Sequence, residues 1–88
     1  MGPEAKLQAK CVSYARRNKW WAAKLESPGM NGVPDFMFIR DGHMLFVEFK
    51  ASGKKPTPLQ LHIHQEMRLH GATVVVIDDF DEFRAIFM

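Results

Sequence analysis

Three side chains in this sequence have the types and spacing for chemistry: Asp35, Glu48 and Lys50. Asp35 follows Pro34 and opens the apolar run to Ile39, while Glu48 and Lys50 close a second run that starts at Met44. Residues two apart on a strand share a face, so Glu48 and Lys50 project together, and Val47 and Phe49 point to the other side. Asp41-Gly42, between the runs, is a strong hairpin signal. Such a hairpin brings its open ends together and sets Asp35 beside Glu48 and Lys50. Two adjacent carboxylates repel, and each is costly to bury without a partner. A divalent cation removes both problems. Magnesium takes hard oxygen ligands, commonly one or two carboxylates, and keeps water and phosphate for the rest. The backbone carbonyl of Phe49 would add a third oxygen. The metal would acidify a bound water and stabilise charge growing on phosphorus. Lys50 would position or deprotonate that water, or neutralise the phosphorane; the residues leave these roles open. The competing reading is a surface aspartate plus a Glu–Lys pair on an exposed sheet face. Glu-x-Lys alone is weak, and so is Gly32-x-Pro34-Asp35; together, across a hairpin, they are far more specific.

The elements that must position these groups are readable in outline. Glu4 to Asn18 predicts a helix, with Leu7, Cys11, Tyr14 and Ala15 on one stripe. Trp20 to Leu25 alternates as a strand, and Ser27 to Gly32 is a loop. Pro34 holds Val33 extended. Strands follow at Asp35–Ile39 and Met44–Lys50, then a polar loop from Ala51 to Pro56. Thr57 caps a helix with Pro58 in its first position and Gln60 where a capping box places Glu or Gln. Gly71 stops that helix. Thr73–Ile77 is a buried strand, and Asp78 or Asp79 caps a last helix bearing Phe80, Phe83 and Phe87. The order is α-β-β-β-α-β-α, one α/β domain over residues 1–88. The expectation is a mixed four-stranded sheet flanked by helices: an antiparallel meander and a fourth strand returned parallel through a helix.

Composition sets the bounds. Hydrophobic residues make up 47% and charged residues 25%, which is a globular balance. A core this small favours self-association. The net charge of +2 does not by itself argue for nucleic acid, but its distribution is uneven. Lys6, Lys10, Arg16, Arg17 and Lys19 crowd the front, Lys54 and Lys55 sit together, and acids gather at Asp78, Asp79, Asp81 and Glu82. One cysteine, Cys11, excludes an internal disulfide and reads as a small buried residue. No apolar run is long enough to span a membrane, and charge from Glu4 onward breaks any signal-peptide pattern, so a cytoplasmic setting is expected.

Pro34-Asp35 followed by Glu48-Phe49-Lys50 resembles the pattern of the PD-(D/E)XK nucleases, which share the restriction-endonuclease-like core. More narrowly, Gly32-Val33-Pro34-Asp35, then Leu45 to Lys50, then Pro58-Leu59-Gln60 resemble the VRR-NUC family, over nearly the whole chain from Glu4 to about Ile77. The resemblance implies a magnesium- or manganese-dependent endonuclease with Asp35 and Glu48 as metal ligands and Lys50 as the catalytic lysine. It also implies that Glu4 completes the metal site and that Gln60 belongs to it. Stand-alone members of the family are small phage and bacterial proteins that resemble four-way (Holliday) junction resolvases, homodimers acting on branched DNA. The expected cell is bacterial or phage-infected. No small-molecule cofactor is implied. Phe49 stands where valine is commoner, and Ala51 to Lys55 is a slightly different loop.

Lys54 and Lys55, beside the expected site, are the candidates for phosphate contacts, with Lys6 and Lys10 on the first helix. His62 and His64, two apart on a helix, point to different faces and cannot chelate one ion well. His43 falls at the turn. Of Trp20 and Trp21, one is core and the other a candidate for base stacking or a subunit contact. Gln60 has a second role open to it, capping its own helix. Three other readings compete with a junction resolvase: the same nuclease acting on flaps or duplex, a DNA-binding module without catalysis, and a structural or interaction protein built on this sheet. The intact Asp, Glu and Lys set argues against the module, because binding alone needs no carboxylates facing phosphate.

Overall fold

The computed structural model describes residues 1–88. Seven elements appear in the expected order: α1 (Pro3–Arg17), β1 (Trp21–Lys24), β2 (Phe36–Arg40), β3 (His43–Phe49), α2 (Pro58–Leu69), β4 (Thr73–Ile77) and α3 (Phe80–Ile86). The strands lie in the order β1-β2-β3-β4. β1, β2 and β3 pair antiparallel, and β4 joins β3 in parallel after the α2 crossover. The strand limits move by about a residue from expectation. Asp35 precedes β2 and Lys50 follows β3. Both still hold ladder-like bonds, since the Leu25 N–H donates to the Asp35 carbonyl and the Lys50 N–H to that of Ile77. Asp35 and Lys50 therefore flank the ends of regular pairing, while Glu48 lies within β3 opposite Val76.

Register explains the division of the sheet. Phe38 faces Ala22 and Leu45, and Phe36 faces Val47, so these residues share one face. α1 and α3 cover that face. Cys11, Val12 and Ala15 of α1 close with Phe83 and Phe87 on Phe36, Phe38, Val47, Phe49 and Ile77. Phe83 and Phe87 stack at 4.0 Å, and Phe87 meets Phe38 at 4.8 Å. Burial pushes the Cys11 thiol up to about 12, which leaves it an inert core residue.

The other face carries Glu48 and belongs to α2. Thr57 and Gln60 form the expected capping box, and Gly71 takes a φ of +97° just past the helix. Of the two tryptophans, Trp20 is buried, with its indole N–H donating to the Phe87 carbonyl, and Trp21 is exposed. Trp21 lies opposite Ile39, and Ile39 opposite Met44, so an apolar row crosses the outer strands on the Glu48 face. Trp21 and Met44 are 57% and 47% exposed, and α2 packs against β4 rather than over this row.

Candidate active site

Asp35 is delivered by a tightly held loop. Gly32 has a φ of +92°, a region that disfavours side chains, and a Cβ there would lie 3.1 Å from the Leu59 carbonyl oxygen and 3.0 Å from the Ile63 side chain. The loop thus rests directly on the first turns of α2. Pro34 is fully buried behind it. Asp35 then accepts a 2.8 Å hydrogen bond from the Phe49 N–H through Oδ2, which fixes it across the open end of the hairpin.

Glu48 is the centre of the arrangement. It is 2% exposed, an unusual place for a carboxylate. Lys50 Nζ lies 3.9 Å from Glu48 Oε2, and the Gln60 amide donates to the same oxygen at 3.4 Å. On the other side, Nε2 of the fully buried His64 lies 3.6 Å from Glu48 Oε1, beyond hydrogen-bonding reach. Oε1 and both His64 ring nitrogens have no hydrogen-bond partner. A buried polar atom left in this way costs about 1–3 kcal/mol.

The electrostatics follow from that crowding. Burial, then repulsion by Asp35 and a hydrogen bond between the two carboxyl groups, push Glu48 up to about 8; Lys50 opposes the rise and Glu4 adds to it. Burial, with the cations Arg68 and Lys50 nearby, lowers the pKa of His64 and favours the neutral ring, against a smaller opposing pull from Asp35. The raised value favours a proton on Glu48 below about pH 8. A divalent cation would offset the same repulsion, so the residues fit a hard metal ion. No group of three or more His, Cys, Asp or Glu side chains converges on one point. The protein therefore supplies a sparse set of the kind magnesium accepts, two carboxylates with the rest left to carbonyl, water and phosphate.

The structure brings together Asp35, Glu48, Lys50 and Gln60. Gln60 caps its helix, its Oε1 accepting from the Thr57 N–H at 2.9 Å, and its Nε2 also reaches Glu48. Glu4 is exposed in the first turn of α1, close enough for its charge to be felt at Glu48 but outside any three-carboxylate cluster. Lys54 and Lys55 are exposed in the loop after Lys50, where the Gly53 N–H donates to Asp78. Lys6 is exposed on α1, and the ammonium of Lys10 sits 4.3 Å from the centre of the Phe80 ring. Sequence reasoning passed over His64. Its spacing from His62 carries no signal; its telling relation is to Gln60, four residues earlier and on the same helical face. The largest surface groove, about 550 Å³, lies away from the carboxylates along α1, lined by Gln8, Ser13, Arg16, Arg17 and Phe36 among others.

Known proteins match this chain along nearly its whole length. A protein named "Putative nuclease p44", from Acyrthosiphon pisum secondary endosymbiont phage 1, is 40% identical over 79 residues, which cover 89% of this chain and 85% of that protein. A solved structure titled "VRR_NUC domain" superposes with a TM-score of 0.89 at 28% identity, covering 98% of this chain and 95% of its own. A second, titled "VRR_NUC domain protein", gives 0.80 at 20% identity over 97% and 84%, and at that identity it speaks for the fold. No protein-family model matches the chain.

Proposed function

Because this chain belongs to the VRR-NUC family of nucleases, we propose that it is a divalent-metal-dependent endonuclease that cuts branched DNA as a homodimer. The observation that carries the reading is the carboxyl pair formed by buried Glu48 and half-buried Asp35, with Lys50 3.9 Å from Glu48. Residues 1–88 form one nuclease domain.

Magnesium or manganese would be held by Asp35, Glu48 and the Phe49 carbonyl, with Glu4 completing the site, and bound there would supply an acidified water and a charge to offset the phosphate. Asp35 is fixed by the Phe49 N–H and Glu48 by Gln60, so both carboxylates are oriented before substrate arrives. Lys50, largely covered but aimed at the same place, carries the positive charge needed beside a pentacoordinate phosphorus or beside the attacking water. Lys54 and Lys55 flank this point and, with Lys6 and Lys10, contact phosphates. The reaction leaves a 5′-phosphate and a 3′-hydroxyl.

The homodimer is supported by the row Trp21, Ile39 and Met44, whose exposed members are large apolar residues on the part of the Glu48 face that lies beyond the contact of α2 with β4. A twofold axis through such a patch would pair it with itself and present two sites to two strands. No helix is long and apolar enough to cross a membrane; we place the protein in the cytoplasm of a bacterial or phage-infected cell.

The test is cleavage of a labelled four-way junction, a flap and a linear duplex with magnesium, manganese or chelator, using Asp35→Ala and Lys50→Ala as controls. Paired symmetric nicks in the junction, lost in chelator and in both variants, are expected. Cutting of all three shapes would keep the chemistry and discard the junction preference. Binding without any metal-dependent cutting would leave a DNA-binding module.

A further inference from the structure

Gln60 and His64 stand one helical turn apart on α2, so both side chains meet the same point on the sheet. That point is Glu48. Gln60 donates to Oε2, and the His64 ring faces Oε1 at 3.6 Å. His64 is fully buried. A buried polar side chain normally finds a hydrogen-bond partner, and even the exposed His70 places Nδ1 2.8 Å from the Glu66 carbonyl. His64 has no such partner at either nitrogen, and the carboxylate oxygen it faces has none either. One is a donor lacking an acceptor, the other an acceptor lacking a donor, and they are neighbours. A neutral imidazole protonated at Nε2 would satisfy both after closing by about half an ångström.

This inference rests on the nuclease reading above. We propose that His64 is a positioning residue for Glu48: its Nε2–H holds Oε1 from the α2 side, so that the carboxylate presents a fixed oxygen to the cation beside Asp35. The ring is not itself a ligand, since it is enclosed and no three-residue donor cluster forms around it. Supporting groups of this kind set the orientation of a ligand and its affinity for metal. Gln60 and His64 then form a two-pronged clamp, one prong for each carboxylate oxygen, delivered by a single helix.

The measurement is Mn²⁺ binding to the purified full chain, without DNA, by calorimetry, alongside melting in chelator and cleavage kinetics. His64→Leu keeps similar bulk and removes the N–H; His64→Gln restores a donor at comparable reach. Expected for His64→Leu is a loss of Mn²⁺ affinity of about 10–100-fold, a melting temperature in chelator no lower than wild type, and a fall in kcat with KM for DNA unchanged. His64→Gln should recover most of the affinity. Wild-type Mn²⁺ affinity in a folded His64→Leu protein, or a His64→Gln protein no better than His64→Leu, would overturn the proposal. Should His64→Leu not fold, His64→Gln is compared with His64→Asn, whose shorter amide cannot span the gap; equal affinities overturn it. Failure of the wild type to take up Mn²⁺ would remove the metal reading itself, a result distinct from uptake that ignores position 64.

Discussion

Replacing Glu48 with Gln should make the metal-free protein more stable at alkaline pH while abolishing its cleavage. The folded chain holds Glu48 at about 8 against an ordinary value of 4.5, chiefly because the group is buried beside Asp35. A raised folded-state pKa means that the folded form binds a proton the unfolded form releases. That contribution to stability is complete below about pH 4.5 and is lost as pH rises to about 8. Within the window the slope is at most about 1.4 kcal/mol per pH unit, and the integrated ceiling is about 5 kcal/mol. In a domain of this size each kcal/mol moves Tm by about 4–8 °C. Gln reproduces the neutral carboxyl in shape and cannot ionise. The difference in Tm between Glu48→Gln and wild type should therefore be small near pH 5 and widen by several degrees per unit up to about pH 8. Thermal melts in chelator at pH 5.5, 6.5, 7.5 and 8.5 measure it directly. Adding manganese should close the gap by raising only the wild type, because the cation replaces the proton. Parallel Tm curves for the two proteins across this window would refute the reasoning.

Further outcomes follow from other parts of the structure. Lys50→Met should abolish cleavage while Mn²⁺ binding survives, because Lys50 sits beside Glu48 and holds no metal; calorimetry and a nicking assay separate the two. Gly32→Ala should cost about 1–3 kcal/mol through its positive φ and its contact with Leu59, and should lower kcat by displacing Asp35; denaturant melts and kinetics check this. Trp21→Glu should yield a folded monomer, read by light scattering, with circular dichroism unchanged. Phe38→Ala, which removes the ring packed edge-on against the stacked Phe83 and Phe87, should cost about 3–5 kcal/mol in urea unfolding.

Much of this was legible in the residues because local rules and the global fold agree. Thr57-Pro58 with Gln60 started α2, Gly71 ended it, and Asp41-Gly42 turned the hairpin as expected. The alternation Val47, Glu48, Phe49 told which side was core. Asp35, Glu48 and Lys50 were legible because period-two spacing and one hairpin fix their proximity, whereas Gln60 was tied to them only by the family resemblance. His64 was not, since its significance depends on how α2 rolls over the sheet, and helical spacing leaves that rotation open. The same holds for Glu4. Its helix packs on the face bearing Val47 and Phe49, and pattern alone does not say how far the first turn of α1 extends toward the carboxylates. The exposed row at Trp21 and Met44 was half-visible: one tryptophan had to be outside, but only cross-strand register joins it to Ile39 and Met44.

The double use of Gln60 ties the birth of a helix to the readiness of the site. One amide takes the Thr57 N–H with its oxygen and reaches Glu48 with its nitrogen, so the start of α2 and the posture of the carboxylate share a single rotamer. Fraying of that first turn releases both at once. The polar stretch from Ala51 to Pro56 enters the helix at Thr57, whose N–H Gln60 holds, so a tug on that stretch by a bound strand would be felt at Glu48 through the Gln60 side chain. Selection acting on this position cannot tune folding and chemistry independently, which makes Gln60 a site where neutral drift is narrow on two counts.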